Sequence, residues 1–211
     1  MEPTERNLRA WEAAHRRRAG RQPASALPDV VRAWLPDLRG RHVLQLGCGR
    51  GETTAELVAL GALVTGLDPS AEALAAARER VPAAALVHAE PHAPPPELLR
   101  GRFHLVYAGE RTLVPAADVA AAARAILAAL RPGGYLLLYD EHPVRACVDP
   151  LFHWRGSYFV GSSGEPRRSL AGVVTAIAQT GLVVRRLEEL PAPGEGPHVP
   201  GRFALVARKP T

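Results

Sequence analysis

The stretch HVLQLGCGRGETTAEL, His42 to Leu57, decides the fold. A short apolar run ends in three closely spaced glycines, Gly47, Gly49 and Gly51, and residues typical of a helix follow at once. A strand-to-helix turn brings backbone N–H groups and the positive end of a helix dipole together. Because glycine has no Cβ and accepts a left-handed backbone, this pattern predicts a ligand that comes close to the main chain.

The composition predicts one globular domain with a continuous core, since the chain has 211 residues and is 47% hydrophobic. No run reaches the roughly 20 apolar residues of a membrane span, and the N-terminus lacks the apolar segment of a secretory signal. Cys48 and Cys147 form neither a disulfide framework nor a zinc-ligand pattern. We therefore expect a cytoplasmic protein without membrane contact and without a metal.

The formal net charge of +5 raises the question of a nucleic-acid partner. The arginines are dispersed along the chain, and their one cluster, HRRRAGR at His15 to Arg21, is typical of a solvated helix end. We therefore expect no nucleic-acid partner.

Short apolar runs alternate with alanine-rich segments that predict helices at about 51–60, 70–80, 115–130 and 168–180. This alternation predicts an α/β fold: an open, mostly parallel sheet with helices on both faces and with strands buried on both sides. The predicted strands are Val43–Leu46, Ala62–Leu67, Ala84–Val87, Phe103–Tyr107, Tyr135–Tyr139, Leu182–Leu187 and Phe203–Val206.

Ligands of such sheets bind beyond the carboxyl ends of the strands, where the strand order reverses. We therefore expect the segments that follow the predicted strands to be neighbours in space: Gly47–Gly51, Asp68, the Glu90 region, Ala108–Arg111 and Asp140–His142.

Asp68 ends the second predicted strand about 20 residues after the glycine turn, where a carboxylate commonly accepts hydrogen bonds from ribose hydroxyls. Together the two features predict a cofactor that contains a nucleoside. The dinucleotide fingerprint would need a third glycine where this chain has Glu52, whose charge would face a pyrophosphate. This argues against a nicotinamide-dependent reductase, and the triphosphate-binding loop is absent.

The segment VLQLGCGRGETTAELVALGALVTGLDPSAEALAAARER resembles the S-adenosylmethionine (SAM) site of the class I methyltransferase family. GRFHLVYA and ILAALRPGGYLLL are similar to the fourth strand and to the helix and fifth strand of that family. The resemblance implies a Rossmann-like, seven-stranded sheet in which the last strand, here Phe203–Val206, is antiparallel. It also implies that SAM is converted to S-adenosyl-L-homocysteine.

By this resemblance, the glycine turn lies against the methionine part of SAM, Asp68 holds the ribose, and Pro69 packs near the adenine. Glu90 stands where the family usually has the aspartate that contacts the adenine amine, and His104 replaces the aspartate of the family's FDLV segment. The predicted cofactor-binding residues are Gly47, Cys48, Gly49, Gly51, Asp68, Pro69, Glu90, Pro91 and Ala108, with Cys48 contributing only its backbone.

The sulfonium of SAM supplies its own leaving group, so that alignment and exclusion of water provide most of the catalysis. An amine acceptor needs no base, whereas a phenol with a pKa of about 10 benefits from one. Glu141 and His142, just past the fifth strand, are the candidate catalytic residues, and a polar turn out of the sheet is the alternative interpretation.

We expect methyl transfer to oxygen or nitrogen of a small molecule. The alternatives are a methyltransferase of RNA or protein, a module that binds SAM without turnover, and the reductase. The insert at 141–168 gathers aromatic residues that predict a lid or pocket wall: Phe152, His153, Trp154, Tyr158 and Phe159. Residues 1–40, with Trp11, form a predicted helical cap before the catalytic domain at 41–211, and we expect a monomer or homodimer.

Overall fold

The computed structural model describes residues 26–149, 153–162, 164–165, 167–191 and 199–211. Of the predicted features, Trp11, the arginine cluster at 15–21 and Phe152 lie outside these residues. The part of the predicted helical cap that is described contains one helix, α1, Asp29–Trp34.

Within the described residues, seven strands form one sheet: β1 (His42–Leu46), β2 (Leu63–Asp68), β3 (Ala85–His88), β4 (Phe103–Ala108), β5 (Leu130–Glu141), β6 (Val183–Pro191) and β7 (Pro200–Arg208). The other helices are α2 (Glu52–Ala59), α3 (Ala71–Arg80), α4 (Val119–Ala129) and α5 (Leu170–Ala178). Single 3₁₀ turns follow β3 and β5 at Pro96–Leu98 and Pro143–Cys147.

The strand order is β3-β2-β1-β4-β5-β7-β6, and β7 runs antiparallel to both of its neighbours. This confirms the predicted Rossmann-like sheet and its antiparallel last strand. The chain passes from β1 outward to β2 and β3, and then returns to the other side of β1 as β4. The order therefore reverses between β1 and β4, which is where a ligand crevice is expected in an open α/β sheet.

Helices cover both faces of the sheet and create two apolar cores. On one face, Ile126 of α4 and Val173 of α5 pack with Leu136 and Leu138 of β5. On the other face, Val31 of α1 and Leu57 of α2 pack with Val43 of β1. Odd and even residues of one strand face opposite cores, so both faces of the central strands must be apolar.

The predicted burial on both faces is wrong for the two edge strands, β3 and β6, neither of which has a buried residue. Val183 and Leu187 are 45% and 42% exposed, because β6 lies at the edge of the sheet. The guanidinium of Arg186 in this strand instead covers the ring of Trp34, 4.1 Å from its centroid. Among the described residues, no helix has the length and apolarity to cross a bilayer.

Candidate functional site

The glycine turn after β1 has the left-handed backbone that the sequence suggests. Gly47, Gly49 and Gly51 have φ angles of 66°, 54° and 85°. The turn is closed by the N–H of Gly51, which donates to the carbonyl of Cys48 at 3.1 Å. The N–H of Cys48 donates to Leu67 at 3.0 Å, which joins the turn to β2.

Asp68 connects the end of β2 to the glycine turn. Its buried carboxylate accepts the N–H of Gly49 at 2.8 Å through Oδ2 and the N–H of Ser70 at 2.9 Å through Oδ1. The same acid that would face a ribose therefore also fixes the loop beneath it. A carboxylate oxygen can accept more than one hydrogen bond, so both roles are compatible.

The side chain of Cys48 points into the fold. A Cβ on Gly66 would lie 3.0 Å from the Cys48 sulfur, so the absence of a side chain on β2 makes room for the thiol. Burial, with the nearby charge of Asp68, raises the pKa of Cys48 to about 12. The thiol is therefore neutral and unreactive, and the backbone is the part of Cys48 that the cavity beside the turn can use.

Glu90 and Pro91 follow β3 and lie beside Asp68. The N–H of Ala89 donates to the carbonyl of Asp68 at 3.2 Å, which brings the two loops together. Burial, and to a smaller extent the charge of Asp68, raises the pKa of Glu90, against the opposing effect of His92. Pro91 is buried, and the carbonyl of Pro69 lies 2.8 Å from Nε2 of His88. The structure thus brings the predicted adenine-side residues together.

Thr112 covers the glycine turn from the loop after β4, and the sequence did not indicate it. A Cβ on Gly47 would come within 2.5 Å of Thr112 Oγ1, so only glycine fits at this position. The Thr112 hydroxyl donates to the carbonyl of Leu46 at 3.4 Å.

Asp140 holds that loop in place and is the second residue whose role the sequence missed. Its fully buried carboxylate accepts backbone N–H groups at 2.5 to 3.0 Å, from Arg111, Leu113, Val114 and Glu141. Burial raises the pKa of Asp140 to about 6, although these four hydrogen bonds act in the opposite direction. We call residues 111–114 the clamped loop.

A cavity of about 180 Å³ lies between the glycine turn, the clamped loop and the ends of β4 and β5. Tyr107 and Tyr139 contribute to its floor, and Ala108, at the end of β4, is fully buried next to it. We call this cavity the glycine crevice; its lining also includes Gln45, Gly47, Cys48, Gly49, Glu52, Gly109, Glu110 and Arg111. Glu52 at its rim pairs with Arg80 at 3.1 Å.

An ion pair joins the lining of the glycine crevice to β7. Arg202 of β7 donates through Nε to Glu110 at 2.8 Å, and it lies opposite Glu141 in the sheet register. Burial tends to lower the pKa of Arg202, but the carboxylates of Glu110 and Glu141 outweigh this and raise it. Tyr139, whose pKa burial raises, lies next to this pair.

The candidate catalytic residues Glu141 and His142 line a second cavity, of about 280 Å³, and do not line the glycine crevice. Nδ1 of His142 accepts the N–H of Val144 at 3.1 Å, which places the ring proton on Nε2, 2.8 Å from Glu189. Burial lowers the pKa of His142 despite the neighbouring carboxylate of Glu189. Both ring nitrogens thus have structural contacts, while Glu141 is half-buried at the cavity wall.

The aromatic insert divides into a packed part and an exposed part. The ring of Tyr158 stacks on His142 at a centroid distance of 6.5 Å, and its hydroxyl accepts the N–H of Leu170 at 3.0 Å. Trp154 and Phe159 are 60% and 71% exposed. The predicted role of this insert as a lid stays a prediction.

His104, the other departure from the family pattern, lies at the opposite end of the sheet from the glycine crevice. Its Nδ1 accepts the N–H of His42 at 3.2 Å, and the two imidazole rings stack at 6.1 Å. Burial, assisted by nearby arginines, lowers the pKa of His104. The residue therefore joins β1 to β4 at their amino ends.

The residues at the carboxyl ends of β1, β2 and β3 fit an adenosyl amino acid. The glycine turn leaves the backbone open toward the crevice, the Asp68 carboxylate stands at the end of β2, and Glu90 lies next to it. Short glycine turns with an acid on the neighbouring strand define the class of Rossmann-like nucleoside-binding proteins.

Comparison with known proteins shows which family within this class the chain resembles. A family model described as a methyltransferase domain matches residues 43–134. Trans-aconitate 2-methyltransferase of Paracidovorax citrulli is 40% identical over 158 residues, which are 67% of this chain and 56% of that protein. The enzyme of the same name from Delftia acidovorans is 36% identical over 117 residues, which are 50% of this chain and 40% of that protein. The chain spans about half the length of these curated relatives.

Solved structures agree with this assignment. An S-adenosylmethionine-dependent methyltransferase from Mesorhizobium loti is 25% identical with a TM-score of 0.70, over 84% of this chain and 95% of that one. A TehB-like methyltransferase from Corynebacterium glutamicum, 18% identical, shares the fold with a TM-score of 0.66 over 99% of this chain and 100% of that one. The chain belongs to the class I SAM-dependent methyltransferase family.

Proposed function

We propose that this protein transfers the methyl group of SAM to an oxygen or nitrogen atom of a small-molecule acceptor. The observation that carries the proposal is the hydrogen bond between the Asp68 carboxylate and the N–H of Gly49. This bond fixes the acid at the end of β2 next to the glycine turn after β1. In this arrangement Asp68 can hold the ribose of an adenosyl amino acid while the glycine turn holds its amino acid part.

The residues of the chain have separate tasks in this proposal. Gly47, Gly49 and Gly51 expose backbone to the amino acid part of the cofactor, Asp68 accepts the ribose hydroxyls, and Glu90 contacts the adenine amine. SAM, when bound, supplies a methyl group on a sulfonium that leaves as a neutral thioether. Tyr107 and Tyr139 restrict the crevice and exclude water, which favours a single alignment of the acceptor.

A carboxylate is the acceptor group that we favour. The relatives named trans-aconitate 2-methyltransferase support it, since their name gives a carboxylic acid as substrate. A carboxylic acid with a pKa of about 4 is ionised at neutral pH and needs no base. Its oxygen forms the new bond to the methyl carbon as the bond from carbon to sulfur breaks, and the bonding electron pair goes to sulfur.

This acceptor changes the interpretation of Glu141 and His142. A carboxylate nucleophile has no proton to lose, and both nitrogens of His142 have contacts within the fold. We therefore propose that the two residues shape the acceptor side of the site, and the role of a general base for either one stays an untested prediction.

Titration calorimetry tests the cofactor assignment. We expect the protein to bind SAM, and we expect Asp68→Ala to weaken that binding at least tenfold, because the ribose and the glycine turn both lose a charged acceptor. Asp37→Ala is the matched control, since Asp37 is an exposed acid before β1 that pairs with Arg39. Unchanged SAM affinity in a folded Asp68→Ala variant, or tighter binding of NADH than of SAM, would refute the proposal.

We also propose a cellular setting for the protein. We propose a reducing compartment such as the cytoplasm, supported by the two cysteines, which are buried thiols. The monomeric or dimeric state stays a prediction.

A further inference from the structure

The cavity lined by Glu141 and His142 has a strongly basic wall. Arg145, from the 3₁₀ turn after β5, lines it together with Arg167 and Arg168, which precede α5. Among the described residues that line it, Glu141 alone is acidic. We call it the arginine cavity. Because burial lowers the pKa of His142, the imidazole is neutral at pH 7, and the cavity carries a net positive charge.

The backbone holds two of these guanidinium groups in place. Nη1 of Arg168 donates to the carbonyls of Val114 at 2.6 Å and Ala116 at 2.5 Å. Arg167 donates to the carbonyls of Val160 at 3.2 Å and Ala146 at 3.0 Å. Carbonyl oxygens orient a guanidinium without neutralising its charge, so the two groups are preorganised for an anion.

The partial burial of Arg168 also favours the binding of an anion in the arginine cavity. Burial lowers the pKa of Arg168, although Asp118 acts in the opposite direction. A partly buried cation whose neighbours are mostly neutral dipoles gains more from a bound anion than a solvated one does.

The arginine cavity adjoins the glycine crevice at the end of β5. Tyr139 lines the crevice and Glu141 lines the arginine cavity, and two residues of a strand span about 7 Å. The clamped loop also contributes to both, with Arg111 on the crevice side and Val114 on the arginine side. A small molecule held by the arginines can therefore extend toward the proposed methyl donor.

We propose that the arginine cavity binds the carboxylate groups of a small di- or tricarboxylate acceptor, and that Arg145, Arg167 and Arg168 determine this specificity. The inference rests on the proposed function and adds the substrate class and the residues that select it. Planar carboxylates match the paired N–H groups of guanidinium. Methyl transfer to one carboxylate removes one negative charge, which weakens the hold of the arginines and favours release of the ester.

Calorimetry without SAM tests the site separately from catalysis. We expect propane-1,2,3-tricarboxylate to bind the full chain at least tenfold more tightly than butyrate, with an affinity that falls as salt is added. Arg145→Gln should weaken binding of the tricarboxylate about tenfold, as expected for one charged hydrogen bond. Arg102→Gln, at the amino end of β4, is the control and should bind like the parent.

Arg167→Lys gives a second variant that keeps the charge but loses the paired N–H geometry, and it should also bind more weakly. Equal affinity of the parent, Arg145→Gln and Arg167→Lys for the tricarboxylate would overturn the proposal, as would equally tight binding of inorganic phosphate. SAM affinity, measured on the same proteins, distinguishes the two hypotheses. Tricarboxylate binding that is lost in Arg145→Gln supports the arginine cavity even if the parent fails to bind SAM, whereas SAM binding without tricarboxylate binding overturns the arginine cavity alone.

Discussion

At the scale of single residues, Gly47 has two separate reasons to be glycine. Its φ of 66° is in the left-handed region, and the Thr112 hydroxyl occupies the space that a Cβ would need. Gly40 has the same φ of 66°, but among the described residues only its chain neighbours come within 4 Å of its Cβ position. The two positions therefore separate the cost of the backbone conformation from the cost of the contact.

We predict that Gly40→Ala lowers the free energy of unfolding by about 1 kcal/mol, the cost of a left-handed non-glycine residue. Gly47→Ala should cost a further ~1–2 kcal/mol, because Thr112 must move away from the turn. Chemical denaturation of both variants measures the difference. In the double variant Gly47→Ala with Thr112→Ala, the part due to the contact should disappear; equal losses at Gly40 and Gly47 would contradict the steric argument.

At the scale of elements, the clamped loop depends on one buried carboxylate. Asp140 accepts four backbone N–H groups, and three of them belong to the clamped loop. Protonation would remove acceptor capacity from a fully buried carboxylate. Because the same loop carries Thr112 and Arg111 to the glycine crevice, the charge of Asp140 should affect cofactor binding.

We predict that SAM affinity rises about tenfold as pH increases through about 6, the pKa to which burial raises Asp140. The ionised carboxylate, present above this pH, orders the loop. Titration calorimetry between about pH 5 and pH 8 measures the change. Asp140→Asn should bind SAM weakly with no inflection near pH 6, and an inflection that persists in this variant would assign it to another group.

The free energy of unfolding should change with pH in the direction opposite to SAM affinity. The folded pKa of Asp140 is raised above the ordinary value of 3.8, so between pH 4 and pH 6 the folded state binds more protons than the unfolded state. The contribution of this group to the free energy of unfolding therefore falls as pH rises through that window, and is constant above it. Denaturation of the parent and Asp140→Asn at several pH values gives this contribution as a difference, and a difference that does not vary with pH would exclude it.

At the scale of the whole molecule, the glycine crevice connects segments that are distant in the chain. It combines the turn after β1 with Tyr107 of β4 and Tyr139 of β5, and Asp68 of β2 fixes its edge. A ligand that contacts all of these stabilises the folded state as a whole, since the unfolded chain has no such site.

We predict that S-adenosyl-L-homocysteine at a concentration one hundred times its dissociation constant adds about 2.7 kcal/mol to the free energy of unfolding. Thermal unfolding with and without the compound measures this as a rise in Tm. Asp37→Ala should show the same rise and Asp68→Ala a much smaller one at equal concentration. Equal stabilisation of the two variants would contradict a role of Asp68 in the site.

Much of the fold was predictable because its signals are local. Pro132 and Gly133 come shortly after the end of α4, and Gly47 comes directly after β1. Because such residues end helices and strands within a few positions, the order of the elements and the position of the turn follow from the sequence. The exposure of the edge strands β3 and β6 was not predicted, because the sequence pattern does not show which strands lie at the edges of the sheet.

The sequence by itself determined the Rossmann-like class, the glycine turn and the acid at the end of β2, because steric and hydrogen-bonding requirements of neighbouring residues impose them. Only the tertiary structure decided that Thr112 covers Gly47, that Asp140 clamps residues 111–114, and that three arginines meet around one cavity. These contacts join side chains that are far apart along the chain, and their partners are chosen by the packing of the whole sheet. The order of residues along the chain does not show which distant side chains meet, because that depends on the register of the strands.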